Sequence, residues 1–129
     1  MTGAVSGEPE VEQVEEIKLS VPTMVTYSRV ARLAVTGLAS RVGFSYDEIE
    51  DLRIAIGEVC GVLLDGAGGR LTFTCQVGDD DLVVAATRQP IGEVPVITDL
   101  TRQILLAVVD EVDIDPEQAR IRILKRRRD

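Results

Sequence analysis

The chain contains no histidine, so the commonest general base and the commonest transition-metal ligand are both absent, and Ser-His-Asp, Cys-His and His-metal chemistries are excluded. Carboxylate chemistry remains. Its best-placed candidate is Glu58, in the run LRIAIGEVC; a glutamate there is either a base aimed at a bound substrate or an ordinary solvated or ion-paired side chain. Cys60 and Cys75 fall in unlike contexts, one in a helical run and one in a strand-like run, and suggest neither a disulfide framework nor a zinc site. They read as small buried apolar residues. The glycine-bearing stretch GAGGR, residues 66–70, follows a helix and precedes a strand. That is the wrong order for a P-loop, so it reads as a helix stop and connection.

The element that positions Glu58 is the best specified in the chain. Ser45 followed three residues later by Glu48 forms a capping box, and Phe44 and Ile49 stand where a hydrophobic staple closes the first turn. Asp47, Glu48, Glu50 and Asp51 complement the positive end of the helix dipole, and Gly66, Gly68 and Gly69 supply the stop. Ile49, Leu52, Ile56, Val59 and Leu63 recur at spacings of three and four and make one apolar stripe facing a core. Glu58 falls roughly 140° from the middle of that stripe at 3.6 residues per turn, with Val62 one turn above it.

LRIAIGEVC resembles the N-box helix of the histidine-kinase-like ATPase (Bergerat-type) fold, most closely that of bacterial anti-sigma factors of the RsbW and SpoIIAB kind. The resemblance implies that Glu58 takes the place of the catalytic base. Four residues later the family carries an asparagine that binds Mg²⁺; here that place is held by Val62, which has no oxygen for a hard cation. VARLAV resembles the first-helix segment in which the SpoIIAB kind carries a partner-contacting arginine. Arg32 takes that place and keeps the family's spacing to Glu58, so Arg32, with Arg29 beside it, is read as partner-binding. The other reading is an ordinary solvated arginine.

The rest of the family's nucleotide site is altered. The ATP-binding members end the strand corresponding to LVVAAT with an aspartate that reads adenine, whereas here it runs into Thr87, Arg88, Gln89 and Pro90. The second glycine box matches TDLTRQILLAVVDEV only in its later part, DEV, with Asp99 and Thr101 at the glycine positions. A carboxylate at that helix N-terminus repels a phosphate while serving well as a cap. The expectation is a degenerate nucleotide site at Val62, Thr87, Asp99 and Thr101, with no catalytic residue beyond a vestigial Glu58, no metal and no ATP. The resemblance then implies an anti-sigma-factor-like regulator that holds a sigma factor or an anti-anti-sigma factor by protein–protein binding, with homodimerisation as the family's habit. The alternatives are an ATP-dependent serine protein kinase that phosphorylates an anti-anti-sigma factor with Glu58 as base, and an α/β domain of unrelated role.

Composition agrees with one globular domain. The 129 residues, 45% of them hydrophobic, are enough for an ordinary core. A net charge of −8 and a pI near 4.6 oppose non-specific binding to DNA or anionic lipid. The acidic start lacks the pattern of a secretory signal and no apolar run is long enough to span a bilayer, so a cytoplasmic protein is expected. Residues 1–10 lack periodicity and read as a disordered acidic segment preceding a domain over 11–129. Positive charge collects at the end, in Arg120, Arg122, Lys125, Arg126, Arg127 and Arg128, as a solubilising strand end with a frayed tail or as a docking patch.

In chain order, Val11 and Val14 lead into a strand over 15–21, with Ile17, Leu19 and Val21 at period two and Pro22 as its break. Thr23 is expected to cap a helix running to about Val42, with Val30, Leu33, Ala34, Gly37 and Leu38 inside, Arg29, Arg32 and Arg41 forming a basic outer face, and Gly43 as the stop. After the long helix, RLTFTCQV and LVVAATRQ form a hairpin about GDDD. Residues 89–97 read as a loop because of two prolines and a glycine. Thr98 or Asp99 caps a third helix to about Asp110 with the stripe Leu100, Ile104, Ala107 and Val108. A short strand over 111–114, a turn at Asp115-Pro116-Glu117 and a last strand over 119–125 complete the chain. The order implies an α+β two-layer sandwich: a mostly antiparallel mixed sheet with three helices on one face.

Overall fold

In the computed structural model, residues 15–66 and 68–128 are described; the segment 1–10, Val11 and Val14 lie outside them. The elements follow in the expected order: β1 (Glu15–Pro22), α1 (Ser28–Val42), α2 (Tyr46–Leu63), β2 (Arg70–Val77), β3 (Asp81–Gln89), α3 (Asp99–Val108), β4 (Glu111–Asp115) and β5 (Arg120–Arg126). One five-stranded sheet has the order β1-β2-β3-β5-β4. Every neighbouring pair is antiparallel, so the sheet is not mixed. The single-helix crossover from β3 through α3 does bring β4 round parallel to β3. It is β5, returning by a tight turn at Pro116–Gln118, that inserts between them and pairs antiparallel with both.

Strand alternation builds the core. Leu71, Phe73, Cys75 and Val77 of β2, Leu82, Val84 and Ala86 of β3, and Ile121 and Ile123 of β5 are buried under the helices, while their alternates face the opposite side of the sheet. The α2 stripe is as expected, with Leu52, Ile56, Val59 and Leu63 buried and Ala55 and Cys60 widening it. The capping box is formed: Ser45 N–H donates to Glu48 Oε1 at 2.7 Å and Glu48 N–H to Ser45 Oγ at 3.2 Å. The helix stops at Leu63, before the glycines. Gly69 has a separate reason to be glycine, since a Cβ there would lie 2.5 Å from the Gln89 carbonyl oxygen.

The first helix departs from expectation at two points. Thr23 does not cap it: a 3₁₀ turn, Val25–Tyr27, intervenes and α1 begins at Ser28 without a side-chain cap. The buried Thr23 hydroxyl instead donates to the Gly68 carbonyl at 2.8 Å, and its own carbonyl accepts from Gly66 N–H at 2.6 Å. Thr23 thereby ties the connection after α2 to the end of β1. The inner face is Ala31, Val35, Ala39 and Val42, not the row through Val30, Leu33, Ala34, Gly37 and Leu38. Those apolar residues include 43% exposed Val30 and 61% exposed Leu33; the smaller row wins because it lets the helix sit close to the sheet and to α2. Gly43 ends α1 as expected, at φ 94° with its N–H shared between Ala39 and Ser40 carbonyls.

Similar shifts occur later in the chain. Thr98, not Asp99, caps α3, accepting from Thr101 N–H at 3.2 Å, and the helix ends at Val108. Leu105 is its fully buried residue and Leu100 is 64% exposed, so the inner face runs through Ile104, Leu105 and Val108 rather than Leu100 and Ala107. The basic chain end is not a frayed tail. Lys125 is buried and donates to Asp51 Oδ2 at 3.0 Å and to the Val108 carbonyl at 2.7 Å. Arg126 pairs with Glu111, Arg127 with Asp80 and Arg128 with Asp110. These contacts fasten the end of β5 to the start of α2 and the end of α3.

Candidate functional site

Glu58 sits half-buried on α2, and Val62, one turn on, is half-buried against the core. At the end of β3 the strand alternation decides the geometry. Thr87 lies in register between Thr72 and Arg120, on the face away from the helices, while Arg88 turns toward the helices and is only 1% exposed. The Arg88 guanidinium donates to Asp65 Oδ2 at 2.6 Å, to the Ile91 carbonyl at 3.1 and 2.8 Å, and to the Glu93 carbonyl at 2.5 Å. A buried charge is tolerable only when paired and hydrogen-bonded in this way. The effect is to pin the loop after β3 against Asp65, two residues past the end of α2. Asp99 is exposed in the first turn of α3, and Thr101 meets the Thr98 cap.

The residues expected to bind a partner lie along the seam between α1 and α2. Arg29, Arg32 and Leu33 of α1 and Arg53 of α2 line an open groove of about 410 Å³. Arg32 donates to Ser28 Oγ at 3.2 Å and Arg53 to Glu50 Oε2 at 3.2 Å. Burial pushes the Cys60 thiol up to about 11, and the charge of Arg32 pulls the other way. Arg41 does not share this face; it bonds Glu15 at the far end of α1. Arg53 takes its place as the third arginine. No grouping of acidic, histidine and cysteine side chains among the described residues could hold a metal ion, and no described helix is long and apolar enough to cross a membrane.

Comparison with known proteins places this geometry. No family model matches the chain. The serine-protein kinase RsbW of Halalkalibacterium halodurans is 37% identical over 82 residues, covering 61% of this chain and 51% of that protein. Those of two Bacillus cereus strains are 35% identical over 80 residues and 44% over 78, covering 59% and 57% of this chain and 50% and 49% of those proteins. The chain is similar to these RsbW proteins over 57–61% of its length. It spans about half the length of the curated relatives it matches. A crystal structure of the RsbU and RsbW domains of a Mycobacterium tuberculosis protein superposes with a TM-score of 0.66 over 88% of this RsbW-like chain and 32% of that one, at 14% identity, which shows the shared histidine-kinase-like ATPase fold.

Sequence reasoning missed two parts of this RsbW-like site. Arg88 was legible in principle, since period two from Leu82, Val84 and Ala86 carries it inward. Arg53 required knowing how α1 and α2 are rotated against each other, which no local pattern in either helix states.

Proposed function

We propose that this RsbW-like chain is an anti-sigma-type regulator of transcription that binds a sigma factor or an anti-anti-sigma factor and does so without ATP or phosphoryl transfer. The observation that carries the reading is the contrast between the two parts of the site. Where an RsbW-type kinase would need a metal ligand and a base-reading carboxylate, the chain has an apolar Val62 and a guanidinium, Arg88, already engaged by Asp65 and two carbonyls. The α1–α2 groove, by contrast, is open and carries Arg29, Arg32 and Arg53. Charged groups of one sign around an exposed Leu33 suit an acidic protein surface with an apolar anchor.

A second reading has an observation of its own. The relatives are named serine-protein kinases, and Glu58 is retained, half-buried, on α2. Under that reading the chain phosphorylates an anti-anti-sigma factor using a divergent nucleotide site. In either case the partners are proteins, in the cytoplasm, and nucleic acid is not contacted directly.

The test is affinity capture from the source cell extract with identification by mass spectrometry, run beside an Arg32→Glu variant. A sigma subunit or an anti-anti-sigma factor is expected with the unaltered chain and is lost with the variant, whose unfolding midpoint stays nearly unchanged because Arg32, half-buried and bonded to Ser28, makes no ion pair among the described residues and contributes about 0.5 kcal/mol or less. Capture that survives the charge reversal contradicts the groove as the docking site.

A further inference from the structure

We infer that the open edge of β1 joins two copies of this chain, pairing β1 with its twin antiparallel about Ile17 so that one sheet runs through both. The inference goes beyond the partner reading and does not depend on it.

Among the described strands the sheet has two edges, β1 and β4, and an edge exposes a row of N–H and C=O groups to any strand that can match it. Charge separates the two. In an antiparallel pairing, side chains of one face oppose side chains of the same face. On β4, Glu111, Asp113 and Asp115 lie opposite Leu124, Arg122 and Arg120, on the face away from the helices, because the alternates Ile121 and Ile123 are buried. Every register of β4 against a second β4 therefore sets carboxylate against carboxylate. That edge repels its own copy.

β1 differs. Ile17 and Leu19 lie opposite the buried Cys75 and Phe73, on the helix side, and Glu16 and Lys18 lie opposite Gln76 and Thr74 on the other. A two-fold axis through Lys18 would oppose two lysines, and one through Glu16 two glutamates. An axis through Leu19 would set Glu16 against Pro22, which has no N–H to give a ladder. An axis through Ile17 sets Glu16 against the second copy's Lys18 and Lys18 against its Glu16, two opposite-charge pairs from one contact. Ile17, 39% exposed, then meets its twin, and the ladder runs over 15–19, short of Pro22. Within one chain Glu16 and Lys18 make only a long ion pair with each other, 3.8 Å, with side chains 49% and 64% exposed.

The surface continues onto α1. Val30, Ala34 and Arg41 share one side of that helix, at spacings of four and seven, and Arg41 reaches Glu15 of β1. This side therefore looks over the β1 edge. Both apolar residues have the hydropathy of a core face, yet Val30 stays 43% exposed. A five-residue ladder with this flank is a small contact, so the dimer is reversible and concentration-dependent rather than permanent.

Sedimentation equilibrium of the full chain over a concentration series, beside hydrogen exchange, tests the pairing. The unaltered chain is expected to pass from monomer to dimer as concentration rises, with amides over 15–19 gaining protection. Lys18→Glu and Glu16→Lys each turn both charge pairs into like-charge contacts. Each should raise the dissociation constant at least about tenfold and leave the unfolding midpoint in place, since an exposed ion pair contributes little. The two variants mixed in equal amounts should associate with each other, because the carboxylates of one then face the ammonium groups of the other. A chain that stays monomeric throughout the series overturns the inference. So does a dimer that neither change weakens, one that leaves 15–19 unprotected, or a pair of variants that do not associate when mixed.

Discussion

Replacing Arg88 by methionine keeps most of the side chain's length and removes its charge, and the structure sets the size of the loss. The guanidinium is 1% exposed and donates four hydrogen bonds, one to a carboxylate and three to carbonyls. Charge-assisted bonds contribute about 1.5–3 kcal/mol each in isolation. The sum overstates the loss, because the Asp65 side chain is 41% exposed and Glu93 is exposed, so water replaces Arg88 for those acceptors, while Ile91 is half-buried against the core. A net loss of about 2–3 kcal/mol is expected, which for a domain of this size lowers the melting temperature by roughly 6–12 °C. Urea unfolding followed by circular dichroism measures it, since the chain has no tryptophan. Adding Asp65→Asn to the variant should cost no more than about 0.5 kcal/mol further if the two residues act chiefly on each other. Hydrogen exchange should show the loop over 90–97 losing protection. An Arg88→Met protein within about 0.5 kcal/mol of the unaltered one, with that loop still protected, refutes the pinning.

Acid should loosen the joint between the chain end and the two helix ends. Burial by itself would raise the carboxyl of Glu48, but backbone N–H donors of Ser45 and Arg128 outweigh it and hold the group below its ordinary value; burial is likewise overcome at Asp110 by the Arg126 N–H and the Arg128 charge. A depressed folded-state value means stability fully present above the unfolded carboxyl range and lost as pH falls through the folded value, so unfolding free energy should decline from about pH 5 downward and Glu48→Gln should flatten that decline; an unaltered slope in the variant contradicts the assignment. Cys60 and Cys75, with thiols raised by burial to about 11, should resist a thiol reagent at pH 8 in the native protein and react only in denaturant. Rapid native labelling of either would contradict their burial.

The elements were legible because their signals are local. The capping box at Ser45 and Glu48, the period-two run Leu71, Phe73, Cys75 and the paired prolines of 89–97 each state their structure within a few residues. What failed was helix rotation. In α1 the larger apolar residues Val30 and Leu33 outweigh Ala31 and Ala39 in any hydropathy pattern, yet close packing against α2 and the sheet selects the small ones; in α3 Leu105 is buried while Leu100 is 64% exposed, a choice that hydropathy cannot make between two residues of one type. The chain end was misjudged because the acidic residues that engage Arg126, Arg127 and Arg128 lie 15 to 47 positions away, beyond any local window. At the candidate site, Glu58 and Val62 come from one helix and were readable together. The Arg88–Asp65 pair joins two elements, and the charge partner became visible only once both were placed.

Titration calorimetry with MgATP on the unaltered chain, beside thermal unfolding in excess nucleotide, tests the central claim most directly. The nucleotide site that the resemblance implies, altered at Val62, Thr87, Asp99 and Thr101, should give no saturable heat and no shift in unfolding. A nucleotide present at a hundred times its dissociation constant would add about 2.7 kcal/mol of stability, well within reach of the measurement. A saturable heat with a dissociation constant in the micromolar range, about 8 kcal/mol of binding, would contradict the nucleotide-independent account and put the kinase reading first.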